Sequence, residues 1–305
     1  MTYIRILPAL VLACVFSTLQ AEEPKTFLLN PGVLTKVRQE LQQQNSAYQK
    51  AFDKLREDAD KASKQTPLSV MDKKQTPPSG DKHDYMSLAP YWWPDPKKPD
   101  GLPYIRRDGE VNPEREEFTD RDHIRTTISS VFTLSAAYYF TRHEPYAEHA
   151  ARLLRTWFLD SATRMNPNVN FGQAIKGRTK GRGAGLIETS GFRFIVDALG
   201  LLEGSASWSA SDRTAMKNWF EEYFVWLRSS EVGLDESDSK NNHGTWYDVQ
   251  CASIALYLGK SDTARAILAE AKAKRVASQI EPDGRMPLEL ARTKALGYTT
   301  MNIDG

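Results

Sequence analysis

Apolar residues recur at helical spacing along most of this chain. Between Pro31 and about Ser63, the residues Leu34, Val37, Leu41, Tyr48, Phe52 and Leu55 fall among charged positions at intervals that place them on one face, which predicts a long amphipathic helix. The pattern resumes in HIRTTISSVFTLSAAYYFT, His123 to Thr141, and after Pro145 in YAEHAARLLRTWFL, Tyr146 to Leu159, which together predict a helical hairpin. LIETSGFRFIVDALGLL from Leu186 and the stretch from Ser211 to Arg228 predict a second pair, with a serine suited to capping just before Asp212. GTWYDVQCASIALYLG from Gly244 and SDTARAILAEAKAKRVASQI from Ser261 predict a third. Comparable spacing, and the likeness of YAEHAARLLRTWF to DTARAILAEAKAK, point to a repeating helix pair.

Helix pairs that recur in this way bury their apolar faces on their neighbours, in an open solenoid or a closed ring. The unusual residues sit in the connections, and a closed ring gathers its connections round one end and a central cleft. The expected fold is therefore all-α, an α/α toroid of repeated hairpins. Almost no stretch alternates apolar and polar residues, so no β domain is expected. Residues 65–113 break the helical pattern, being rich in Pro, Gly and Asp and containing SLAPYWWPDPKKPDGLPY. A loop of that length in a compact domain usually serves function, and adjacent tryptophans are costly to leave as idle surface, so a lid is predicted.

The first residues read MTYIRILPALVLACVFSTLQA, with Arg5 before an apolar stretch from Ile6 to Leu19 and a small residue at Ala21. This is the pattern of a secretory signal peptide over residues 1–21, leaving 22–305 as a single domain in the periplasm or outside the cell. A lipoprotein anchor at Cys14 is the lesser alternative, because Leu12 is bulky for that cleavage site. The apolar stretch is short for a membrane span, so stable insertion is not expected. Without the signal, Cys251 is the remaining cysteine and stability must come from the core. A formal net charge of +1 argues against nucleic acid as partner but allows a local basic cluster to hold an acidic polymer.

Two segments carry candidate chemistry. SKNNHGTWYDVQ, Ser239 to Gln250, places amides and an imidazole immediately before a helix, where free backbone N–H groups and the positive end of the dipole favour a carboxylate. The plainer reading is a helix cap and a buried, satisfied histidine. EPDGRMPLELARTKALGYTTMN, Glu281 to Asn302, sets Arg292 and Tyr298 after a Pro-Asp-Gly turn. An arginine binds a carboxylate bidentately, and a neighbouring tyrosine can exchange a proton, although a surface ion pair and a half-buried tyrosine would leave the same trace.

Taken together, these segments resemble the alginate lyase family of polysaccharide lyases, in which an Asn-Asn-His motif precedes an Arg and then a Tyr across a helical toroid. The resemblance extends to KHDYMSLAPYWWPDP, Lys82 to Pro96, and to NVNFGQAIKGRTKGRGAGLIET, Asn168 to Thr189. It implies β-elimination on a uronic-acid polymer, with Asn242, His243, Arg292 and Tyr298 as catalytic residues. Asn242 and Arg292 would neutralise the carboxylate, His243 would help or act as base, and Tyr298 would protonate the leaving oxygen. In mannuronate and glucuronate the C5 proton and the O4 leaving group lie on the same side, so one tyrosine can serve both; guluronate is inverted at C5. Mannuronate-rich alginate is therefore the first expectation and glucuronan the second. Family members usually continue through further helices beyond the position of Gly305, so the toroid is expected to be incomplete here.

Around these residues, Arg178, Lys180 and Arg182 are candidates to attract uronate carboxylates, with Asn170 and Gln173 as hydrogen-bonding partners. Trp92 and Trp93 offer a sugar-stacking face or part of a lid; Tyr85 and His83 are weaker candidates of that kind. Trp157, Trp219 and Trp226 fall on apolar helix faces and are expected in the core. GRTKGRGAG, Gly177 to Gly185, lacks the preceding strand and the Lys-Ser/Thr ending of a phosphate-binding loop. No cofactor or metal is expected: His143 and His149 are not at ligand spacing, and Asp235, Glu236 and Asp238 read as a solvated turn. The alternatives are a glycoside hydrolase drawing on Glu188, Asp248 or Glu289, and a glycan-binding protein without activity. The oligomeric state is not legible.

Overall fold

The computed structural model describes residues 23–43 and 47–305, so the signal peptide and the Cys14 anchor expected from the sequence lie outside the described residues. The long helix expected over 31–63 is divided into α1 (Pro31–Gln42), started by Asn30 with Pro31 in the first turn, and α2 (Gln49–Ala62). The first predicted hairpin is α3 (Asp120–Thr141) and α4 (Glu144–Leu154), which turns through Arg142 in the left-handed region, φ 54°. α4 runs on as a π turn, Arg155–Leu159. A 3-10 turn, Gly183–Thr189, leads into α5 (Phe192–Leu201), followed by α6 (Ala210–Ser229), α7 (Glu231–Ser237) and α8 (Asn242–Tyr257). α9 (Ser261–Ala271) also passes through a π turn, Lys272–Val276, into α10 (Ala277–Gln279); α11 (Pro287–Leu290) and α12 (Ala295–Asp304) complete the order.

The architecture is an α/α toroid. α3, α5, α8 and α12 pack side by side as an inner layer, α3 on α5, α5 on α8 and α8 on α12, while α4 and α9 return on the outside against α3 and α8. Because each inner helix is separated from the next by a returning segment, the inner helices share a direction and their N-termini gather at one end. The core lies between the layers. Phe158, Phe192, Trp219, Phe220 and Tyr223 pack there edge to face, with Trp219 and Tyr223 stacked at 5.3 Å. Trp157 and Trp219 are buried as expected, whereas Trp226 is half-buried and donates its indole N–H to Asn170 Oδ1 at 2.9 Å.

Among the described residues the strands are short and form no β domain. β1 (Met86–Leu88) pairs in parallel with β4 (Phe171–Ala174), and β2 (Trp92–Trp93) pairs antiparallel with β3 (Ile105–Arg106). At two to four residues each they are too short to show a period in the sequence. Their effect is to tie the long loop to the helical layers. Its root is a buried ion pair: Lys73 Nζ lies 3.0 Å from Asp120 at the start of α3 and also donates to the Val70 and Lys82 carbonyls. Among the described residues, no helix is long and apolar enough to cross a membrane.

Candidate active site

A cleft of about 500 Å³ opens at the N-terminus of α8, between α7, α12, the long loop and the Gly183–Thr189 turn. Asn241 caps α8 by accepting the His243 N–H, which leaves the next two side chains for the cleft wall. The backbone N–H and side-chain Nδ2 of Asn242 both donate to Glu289 Oε1, at 2.6 and 2.8 Å. One amide hydrogen of Asn242 is thus left over. His243 Nδ1 lies 2.7 Å from Glu236 Oε1.

The opposite wall comes from α12 and the chain before it. The Arg292 guanidinium sits 3.8 Å from the centre of the Tyr298 ring and is held by Asp108, with Nε at 3.1 Å and Nη2 at 2.9 Å. These hydrogen bonds hold the Asp108 carboxyl well below the usual carboxylate range. Asp108 also accepts from the Thr293 N–H and hydroxyl, and Gly109, φ 79°, lies so close that a Cβ there would overlap Thr293 Oγ1. Tyr298 Oη lies 2.7 Å from Tyr91 Oη on the long loop. Burial raises the Tyr298 phenol above the ordinary tyrosine range, the bond to Tyr91 adds to the rise, and Arg292 opposes it.

The floor is shaped by a bulge. Two steps along β1 oppose three along β4, and Gln173 takes φ 47°, a rare conformation for a side chain of its size. The Gln173 N–H donates to Ser87 Oγ, and its Oε1 accepts from Arg182 Nη2 at 2.7 Å. Arg182 lines the cleft with no carboxylate within ion-pair distance among the described residues, and its buried Nε has no partner. Burial lowers its pKa. Past Pro90, Gln173, Ile187 and Met301 the cleft opens into a chamber of about 690 Å³ that presents Arg115, Arg121, Arg125 and Arg193 against the single carboxylate of Glu188.

The structure brings Asn242, His243, Arg292, Tyr298, Gln173, Arg182 and Trp92 to one cleft. Other expected residues lie elsewhere. Tyr85 cannot stack on a sugar: it is fully buried, with its hydroxyl donating to Glu188. Asn170 accepts from Trp226, and Arg178 packs over Trp92 at 5.1 Å, reaching the cleft wall only through that ring. Trp93 donates to the Glu110 carbonyl and carries Arg107 over its face, so it packs the loop; Lys180 is exposed and His83 bonds the Arg164 carbonyl. Glu236 is no part of a solvated turn, being buried behind His243. Sequence reasoning missed Tyr91 and Asp108, and named Glu289 only as a possible hydrolytic acid and not as the support of Asn242. Tyr91 stands beside the tryptophans that drew notice, whereas nothing local marks Asp108.

The alginate lyase sequence profile matches residues 69–305. The chain belongs to the alginate lyase family. A crystal structure of an alginate lyase from Bacteroides ovatus superposes with a TM-score of 0.88 at 48% identity, over 92% of this chain and 73% of that one. No curated protein sequence matches. Membership makes the chain a polysaccharide lyase on an α/α toroid. The carboxylates weighed for hydrolysis are occupied otherwise: Asp248 is bound bidentately by Arg275, Glu289 supports Asn242, and Glu188 is held by Tyr85 and Ser87 in the neighbouring chamber.

Proposed function

We propose that the protein cleaves mannuronate-rich alginate, and glucuronan second, by syn β-elimination, leaving a 4,5-unsaturated uronate at the new non-reducing end. The observation that carries this reading is the convergence of Tyr298, His243 and Asn242 on a cleft whose Arg182 guanidinium has no carboxylate within ion-pair distance among the described residues and an unpartnered Nε. A desolvated cation with a donor to spare suits an anionic ligand, and the arginines of the adjoining chamber suit further uronate units of the same chain.

In this reading the uronate carboxylate meets the free amide hydrogen of Asn242, the Arg182 Nε and the Arg292 Nη1 that Asp108 leaves uncommitted. Neutralising it acidifies the C5 proton and stabilises the enolate-like intermediate. Tyr298, kept protonated by burial and by Tyr91, donates to the departing O4. With Tyr298 holding its own proton, the C5 proton leaves to the His243 imidazole, which lines the same cleft. Mannuronate and glucuronate share this geometry because they differ at C2, away from the reacting bonds. Trp92 provides an apolar face for a neighbouring sugar. Export, from the signal-like residues 1–21, would bring the protein to such a polymer.

Ultraviolet absorbance during incubation with polymannuronate, polyguluronate and glucuronan tests the reading, since elimination forms a double bond conjugated to the carboxylate. A rise with polymannuronate or glucuronan that drops about 10²- to 10⁴-fold in Tyr298→Phe is expected. A rise with polyguluronate alone would sink the syn assignment.

A further inference from the structure

We infer that Glu236 is a positioning residue for the reaction, fixing the proton of His243 on Nδ1 so that Nε2 faces the substrate as an acceptor. The inference rests on the lyase reading for its catalytic consequence, but its structural part stands alone. Glu236 sits in the last turn of α7, its side chain 2% exposed, with Oε1 2.7 Å from His243 Nδ1. A carboxylate oxygen accepts and does not donate, so this contact requires the proton on Nδ1. His243 is 20% exposed and lines the cleft, so Nε2 is the nitrogen left for a ligand.

The carboxylate is itself held in place. Ser239 Oγ approaches Oε2 at 3.4 Å. The neighbouring Asp235 accepts the Gly183 N–H at 2.9 Å, and a Cβ on Gly183 would meet the Glu236 backbone N, so α7 is seated directly on the turn that carries Arg182. Arg182 supplies the nearby positive charge. An imidazole backed in this way has one orientation and one tautomer, and needs no reorganisation when the C5 proton or a sugar hydroxyl arrives.

The test compares Glu236→Ala and Glu236→Gln with the unmodified protein, in two measurements. Nitrogen-15 NMR of histidine-labelled protein, with His243→Gln for assignment, should give the Nδ1–H form for His243 in the unmodified protein and lose it in Glu236→Ala. Glu236→Gln keeps the shape but offers a donor as well as an acceptor, so a mixture of tautomers is expected. In absorbance assays on polymannuronate, kcat should fall about 10- to 100-fold in Glu236→Ala with KM little changed, and Glu236→Gln should lie between. On a His243→Ala background Glu236→Ala should cost nothing further. A native Nε2–H tautomer, unchanged activity in Glu236→Gln, or additive losses in the double variant would each overturn the assignment. If the unmodified protein cleaves no polyuronate the lyase reading falls, and the NMR result still decides the role of Glu236.

Discussion

At the residue scale the site is governed by pairs that commit one face of a side chain and leave another free. Tyr298 is the clearest case, with its ring against Arg292 and its hydroxyl on Tyr91. A phenol raised above the ordinary pKa of about 10 stays protonated across the neutral range, which a donor to a leaving oxygen requires. Activity that depends on this proton is lost as pH rises through the raised value. Tyr91→Phe removes a cause of the rise, so the alkaline limb of the kcat/KM profile should move to lower pH; a profile that stays in place would show that Tyr298 is not the donor. That Asn242 and His243 would lie at a site was legible only through the resemblance, because the motif alone reads more plainly as a helix cap; the structure places both on the cleft. Their backing carboxylates were not legible: Glu289 lies 47 positions from Asn242, and only the fold joins them.

At the scale of elements, the helices were legible wherever an apolar face persisted for several turns, as in α3, α6 and α8. The division of the first predicted helix and the π turns after α4 and α9 were not, since neither interrupts the apolar spacing. α6 shows how a start is fixed. Ser209 and Asp212 form a reciprocal capping box, and Asp212 also binds Arg155 in the π turn at 2.7 Å. The Arg155 bonds bring the Asp212 carboxyl down to about 2, below its unfolded value near 4. Its contribution is therefore present above about pH 4 and lost as pH falls toward 2. Asp212→Ala should cost about 1–2 kcal/mol in denaturant unfolding at neutral pH, with a smaller difference from the parent in acid. The long loop was recognisable as a break in the helical pattern, but its strands are too short to show a period, and β1 finds its partner β4 far along the sequence.

For the whole molecule, a common direction of the inner helices turns scattered connections into one site, and that direction follows from repetition of the hairpin, which was visible in the sequence. What repetition does not reveal is how the 65–113 segment is anchored. Lys73 and Asp120 are buried, and burial pushes each toward its neutral form, the carboxyl up to about 6, while their pairing opposes this. Lys73→Met leaves Asp120 without its partner and should destabilise the fold by about 3–5 kcal/mol, read as a lowered midpoint in denaturant. A loss under 1 kcal/mol would show that solvent or another group already satisfies the carboxylate.

Cys251 lies in the middle of α8, 1% exposed, with its thiol pushed up to about 12 by burial. A thiol in that state is closed to alkylating reagents until the helix bearing Asn242 and His243 parts from its neighbours. With Cys14 removed, the labelling rate becomes a built-in clock for opening of the catalytic helix. Saturating oligomannuronate should slow that clock in proportion to its occupancy of the cleft, and an unaltered rate would mean that the sugar binds without engaging α8.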